Sequence, residues 1–203
     1  MIDPGQAIED APIDWTALFG NDRPIELEIG SGKGLFLVNS ATANPAHNFL
    51  GVELSRKYAR LCAERLSQRE ISNAKVWHGD ARLVLTRHVP DLSLRVVHVY
   101  FPDPWWKKRH KKRRVFSDSL VTQIERTLEP GGQLRVASDV EEYFGLIQGL
   151  ITAHPRFQEV PIPESKEARD PSDYLTNFER KYRIEGRPIY RADYVLALAD
   201  STD

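Results

Sequence analysis

From Ile25 onward the chain alternates short β-rich runs with amphipathic helical stretches, and this alternation constrains the fold more than any other feature. Residues 25–30 (IELEIG), 48–53 (NFLGVE), 74–80 (AKVWHGD), 94–101 (LRVVHVYF) and 133–139 (QLRVASD) read as strands, the fourth apolar enough to be buried on both faces. Between the first two the pattern predicts a helix over about 33–43. The next helix carries Tyr58, Leu61, Cys62 and Leu66 at helical spacing, which places Cys62 in the core. Another carries Leu120, Val121, Ile124 and Leu128 on one side, with a turn at 129–132 (EPGG) behind it. Tyr143, Phe144, Ile147, Leu150 and Ile151 mark a last amphipathic helix, and 157–161 with 187–198 a closing pair of strands. The polar stretch 163–183 reads as loop, then short helix. Residues 1–24 are expected to be a peripheral lead-in and 25–203 one domain. The class is therefore α/β, a mainly parallel sheet covered on both faces. Ligands of such sheets bind beyond the carboxyl ends of the strands.

Each strand end carries something chemical. The first runs into Glu28-Ile29-Gly30-Ser31-Gly32-Lys33-Gly34, a turn that lets a ligand approach the backbone. A P-loop, G-x-x-x-x-G-K-[ST], would need glycine at 27 and Ser or Thr after the lysine, where Leu27 and Gly34 stand. The dinucleotide fingerprint G-x-G-x-x-G is likewise replaced by G-x-G-x-G. That spacing, with Glu28 ahead of it, favours a smaller cationic or zwitterionic ligand over a pyrophosphate. The second strand ends in Glu53, placed to accept both hydroxyls of a ribose or to begin the next helix. The third ends in Asp80, which can accept from an adenine amino group or cap a helix.

The fourth strand runs into YFPDPWWKKRHKKRRVF, residues 100–116. Pro102 and Pro104 push Phe101 and Asp103 out of helical conformations and toward extended ones, and hold the Asp103 carboxylate at the sheet edge. Trp105 and Trp106 either close a pocket, stack on a base or simply pack. The formal net charge of -1 falls to -8 once the seven Lys/Arg of 107–114 are set aside. An acidic protein with one basic segment at a strand end suits a polyanion approaching one face. His78 and His98 lie inside strands and read as core residues. No metal-ligand spacing and no nucleophile–base pair for hydrolysis is apparent. The single Cys62, the acidic start and the lack of any apolar run of membrane-spanning length fit a cytoplasmic protein with no membrane association, monomer or homodimer.

Glycine turn, second acid and third acid follow the order of S-adenosylmethionine sites, and the chain resembles the class I methyltransferases. More specifically, FPDPWWKKRHKKRR, together with EIGSGKG, GVE, GDA, ASD at 137–139 and TNFE at 176–179, resembles the bacterial tRNA (guanine-N7-)-methyltransferases from about 25 to 198. The resemblance implies a Rossmann-like class I fold: a mainly parallel seven-stranded sheet, helices on both faces and an antiparallel closing strand. It implies S-adenosyl-L-methionine as cofactor, tRNA as partner, and methyl transfer to N7 of a variable-loop guanine. Glu28, Gly30, Gly32, Gly34, Glu53, Asp80 and Asp103 would form the cofactor site, with Asp103 also catalytic. Lys107, Asp139, Thr176, Asn177, Phe178 and Glu179 would line the guanine site, and Arg109, His110, Lys111, Lys112, Arg113 and Arg114 would grip RNA. Trp106 stands where relatives often have His or Pro. The competing readings are a methyltransferase for protein or small molecules and a non-enzymatic RNA-binding module; a nicotinamide dehydrogenase is set aside by the glycine spacing.

Overall fold

The computed structural model describes residues 1–2, 11–105, 114–162, 179, 181 and 184–198. Seven strands form one sheet: β1 Ile25–Ile29, β2 Asn48–Glu53, β3 Ala74–His78, β4 Leu94–Tyr100, β5 Leu128–Ser138, β6 Phe157–Val160 and β7 Tyr190–Leu196. Their order across the sheet is β3-β2-β1-β4-β5-β7-β6. β1 pairs in parallel with both β2 and β4, and β4 with β5, whereas β7 runs antiparallel between β5 and β6. The expected mainly parallel sheet with an antiparallel closing strand is what forms.

Among the described residues six named helices accompany it: α1 Trp15–Phe19, α2 Leu35–Ala43, α3 Arg56–Gln68, α4 Ala81–Arg87, α5 Asp118–Thr127 and α6 Glu141–Thr152. Alternation along the strands sorts them. Ile25, Leu27 and Ile29 of β1 join Leu50, Val52, Val97, Val99, Leu134 and Val136 in a core closed by α4, α5 and α6. The opposite face packs Phe49, Ala74 and Val76 against Phe36, Leu37, Ala59, Cys62 and Leu66 of α2 and α3. Cys62 is fully buried as its spacing predicts, and burial pushes its thiol up to about 12.

Two boundaries differ from expectation. Leu128, expected on the face of α5, is its C-cap and already the first residue of β5. The turn expected at 129–132 lies inside β5 as an irregularity: Leu128 pairs with Leu94, and the next partners are Gln133 and Val96. Pro130 supplies no ladder N–H and Gly131 takes φ 78°, so the chain bulges out without leaving the sheet. The lead-in also contributes structure. Asp14 caps α1 by accepting the Ala17 N–H at 2.9 Å. Ile2 adds a bridge along the β3 edge, donating to Val76 O (2.8 Å) and accepting from the His78 N–H (3.0 Å).

Gly34 shows why the first turn ends in glycine. It is the N-cap of α2 at φ 78°, and a Cβ there would lie 2.3 Å from Cys62 Sγ and 3.1 Å from its Cβ. Backbone sign and lack of space both demand glycine. Gly34→Ala is expected to cost about 2–4 kcal/mol, combining left-handed strain with overpacking. In urea denaturation the added loss from Gly34→Ala should be smaller in a Cys62→Ala background, which removes the clashing sulfur; simple additivity would show that Cys62 is not the obstacle.

Candidate active site

The strand order reverses between β1 and β4, so the chain leaves these two neighbours in opposite directions and opens a crevice at their carboxyl ends. A cavity of about 570 Å³ lies there, a size suited to a small-molecule site. Its floor comes from Ile29, Gly30, Gly32 and Tyr100, one side from Val52, Glu53, Leu54, Tyr58, Gly79, Asp80 and Arg82, and the other from Phe101, Pro102, Asp103, Trp105 and Val115. Four strand ends therefore converge, as the sequence suggests.

The expected cofactor residues do not all play one part. Gly30 (φ 79°) and Gly32 (φ 53°) border the cavity, and a Cβ on either would project into open space. The Gly32 N–H donates to Glu53 Oε2 at 2.8 Å, and the Ser55 N–H to Oε1 at 2.7 Å, so Glu53 locks the glycine turn onto the end of β2. Asp80 does cap α4, accepting the Arg82 backbone N–H at 3.0 Å. It also receives the Arg82 guanidinium at both oxygens, 3.0 Å to Oδ1 and 2.6 Å to Oδ2. These bonds hold its carboxyl below the usual range. Gly34 and Glu28 lie behind the wall and do not line the cavity. Glu28 is buried, and burial, with the Glu53 charge adding to it, pushes its carboxyl up to about 8. Among the described residues its Oε2 and the buried Ser31 Oγ have no hydrogen-bond partner.

Sequence reasoning missed a support beneath Tyr100. The His98 ring lies between Glu26 Oε2 (2.7 Å from Nε2) and the Tyr100 hydroxyl (2.9 Å from Nδ1). Burial lowers the His98 pKa, so the imidazole is neutral; a carboxylate only accepts, so Nε2 donates to Glu26 and Nδ1 accepts from Tyr100. Burial by itself would raise the Glu26 carboxyl, but its bonds with His98 and with His47 (2.6 Å) hold it below its ordinary value. A Glu two residues before Glu28 and a His two before Tyr100 were the only signals, and their pairing needs the β1–β4 register.

Asp103 is exposed on a strained segment. Phe101, expected to be extended, sits instead at φ 51°, because the buried ring and the N–H bond to Ala137 hold it there; it and Trp105 at φ 41° are left-handed without being glycine, which costs about 1–3 kcal/mol each. The Phe101 N–H donates to Ala137 O at 2.8 Å and its ring is buried, which anchors the near end. Arg114, expected to grip RNA, donates Nε–H to Pro104 O at 2.7 Å and lies over the Tyr143 ring. Asp139 is ion-paired with Arg187, and Glu179 is buried in an ion pair with Arg191 at 2.6 Å. Lys107, Arg109, His110, Lys111, Lys112, Arg113, Thr176, Asn177 and Phe178 lie outside the described residues, as does Trp106.

The arrangement fits S-adenosylmethionine. Glycine turns leave room for a ligand against the backbone, carboxylates ring the space, and a buried carboxyl oxygen waits unpartnered behind them. The fold itself is shared with solved structures. The chain superposes on a SAM-dependent O-methyltransferase from Thermotoga maritima with TM-score 0.59 at 11% identity, covering 92% of this chain and 64% of that one. It superposes equally on the [4+2]-cyclase SpnF, TM-score 0.60 at 14% identity, covering 91% and 79%. At such identity only the fold is shared, and this fold hosts more than one chemistry. Sequence decides further. The family described as "Putative methyltransferase" matches residues 22–192. A tRNA (guanine-N(7)-)-methyltransferase of Rhodopirellula baltica is 46% identical over 194 residues, covering 92% of this chain and 72% of that protein. This chain belongs to the tRNA (guanine-N(7)-)-methyltransferase family. The Asp103 segment forms one lip of the cavity between β1 and β4. Among the described residues no helix is long and apolar enough to cross a membrane.

Glu28 gives the site a pH signature. In the fold its carboxyl keeps a proton up to about 8, whereas an ordinary carboxyl near 4.5 releases it in the unfolded chain. Its contribution to stability is thus complete below 4.5 and is lost as pH rises through about 8. Urea denaturation without ligand should show Glu28→Gln losing less stability than the parent between those values. Equal losses would show that Glu28 is not the source.

Proposed function

We propose that this protein transfers a methyl group from S-adenosyl-L-methionine to N7 of a guanine in the variable loop of tRNA, with Asp103 catalytic. The observation that carries this reading is the convergence at one crevice of a cofactor-sized cavity, an exposed proline-bracketed carboxylate and, directly behind it in sequence, the basic run 107–114. When bound, S-adenosylmethionine supplies an electrophilic methyl group on a sulfonium centre. Gly30, Gly32, Glu53 and Asp80 would hold it, and the neutral Glu28 behind them would ionise toward its positive charge.

Guanine N7 has a free lone pair and no proton to lose, so the reaction depends on alignment more than on a strong base. Asp103 faces the cavity and can accept from the N–H donors of the guanine Watson–Crick edge. Its charge also stabilises the purine as it becomes cationic. Adenine presents an acceptor at N1 in the same place, so the carboxylate discriminates against it. Arg187 holds Asp139 Oδ2, which leaves Oδ1 to accept from the same base. Lys107 and Thr176 to Glu179 complete the guanine site in this reading. Arg109 to Arg113 neutralise phosphates and bring the tRNA in, and drawing a stacked guanine out costs a few kcal/mol.

Labelled S-adenosylmethionine with unmodified tRNA tests the proposal directly. The expected product is N7-methylguanine at one variable-loop position. Binding of tRNA without transfer would instead indicate a binding module, and transfer indifferent to RNA a small-molecule or protein methyltransferase. Asp103→Ala should lose turnover by about 100-fold or more while keeping cofactor affinity; near-normal turnover removes Asp103 from the chemistry. Replacing Lys111, Lys112 and Arg113 together by alanine should weaken tRNA binding. The slope of its salt dependence should also flatten, by roughly one for each phosphate no longer neutralised. An unchanged slope would place the RNA backbone elsewhere.

A further inference from the structure

Arg114 ends the basic run in sequence, yet its side chain is committed to the loop it terminates. The chain that leaves the sheet through Pro104 returns at Arg114, and the Arg114 Nε–H donates to Pro104 O at 2.7 Å, joining the two ends of the excursion. The guanidinium carbon lies 5.2 Å from the ring centre of Tyr143, which is only 1% exposed on α6. Beyond Arg114 the chain is equally fixed, since Val115 lines the cavity and Phe116 is buried in the main core. The backbone opposite is unusual. Pro102 and Pro104 have no N–H, and Phe101 and Trp105 both sit at positive φ. Such backbone persists only where its surroundings over-determine it.

We propose that Arg114 is a positioning residue for methyl transfer: by holding the Pro104 carbonyl against the Tyr143 platform, it fixes the backbone next to Asp103 and aims that carboxylate into the cavity. The inference rests on the role of Asp103 proposed above. It assigns Arg114 a task within the protein, because its Nε–H is engaged by the Pro104 carbonyl and its guanidinium lies over the Tyr143 ring. Arginine suits this task better than lysine, as a planar guanidinium stacks on a ring while donating in its own plane.

The test compares Arg114→Gln, Arg114→Lys, Asp103→Asn and the Gln/Asn double variant, with turnover at saturating tRNA, cofactor affinity and the salt slope of tRNA binding as readouts. Arg114→Gln should lower kcat by about 10- to 100-fold, the scale of a slight misplacement of a reacting group, with cofactor affinity and salt slope unchanged. Arg114→Lys, which keeps a donor and the charge, should recover part of the loss, and it carries the same comparison if the glutamine variant does not fold. Adding Arg114→Gln to Asp103→Asn should cost little more, since both act through one carboxylate. Losses that multiply in the double variant overturn the inference, and so does a reduced salt slope with normal kcat, which marks an RNA contact. Asp103→Asn inactive beside a normal Arg114→Gln sinks this inference alone. A fully active Asp103→Asn sinks the reading of Asp103 and this inference with it.

Discussion

The reversal of strand order between β1 and β4 is the constraint on which the rest of the molecule depends. β1 is hydrogen-bonded on both sides and buried on both faces, so it cannot shift without breaking the sheet. The chain leaves β1 toward α2 on one face and leaves β4 toward the opposite side, and no backbone can fill the gap between. Gly30, Gly32, Tyr100 and Phe101 border that gap because they stand at the ends of two adjacent strands. A ligand there meets rigid elements on every side but one, and that remaining side is the Asp103 lip. Preorganisation of this kind is what an alignment-controlled reaction requires.

The surroundings of this crevice are electrostatically one-sided. Glu28, Glu53, Asp80 and Asp103 all stand at or behind it, yet each is managed differently. Glu53 is tied by two backbone N–H groups, Asp80 by the Arg82 fork, and Asp103 is exposed to solvent. Glu28 is buried beside the Glu53 carboxylate with one oxygen unpartnered, and it responds by holding its proton. A site with surplus acceptors and a reluctant buried acid is matched to a cation. Glu26 shows the contrasting solution on the same strand: with two histidines bound to it, it stays ionised and steadies Tyr100 in the cavity floor.

Much of this was legible residue by residue. Short β-rich runs marked the seven strands, and helical spacing placed Cys62 in the core, because strands buried on both faces leave near-continuous apolar runs. Boundaries governed by pairing were not legible. Leu128 satisfies the apolar face of α5 and a strand equally well, and only its partnership with Leu94 decides the matter. Glu129 to Gly132 has turn chemistry and does turn, but inside a strand. The positions of the glycine turn and the acids at the strand ends were legible, whereas the Glu26–His98–Tyr100 chain exists only through the β1–β4 register. Arg114 was the instructive case. Composition makes it one more cation of a basic run, and the structure shows its side chain bonded to Pro104 O and lying over Tyr143.

The sequence by itself determined an α/β architecture with its ligand site at the strand ends, an acidic site open to a cation and one basic segment beside it. These follow from local patterns and from the order of residue types along the chain. Only the tertiary structure decided that Glu28 lies buried next to Glu53, that Gly34 is glycine because Cys62 leaves no room, and that Arg114 holds the base of the loop carrying Asp103. Each of these depends on groups well separated along the chain coming together in the fold. Such meetings are set by packing and register, which no single residue encodes.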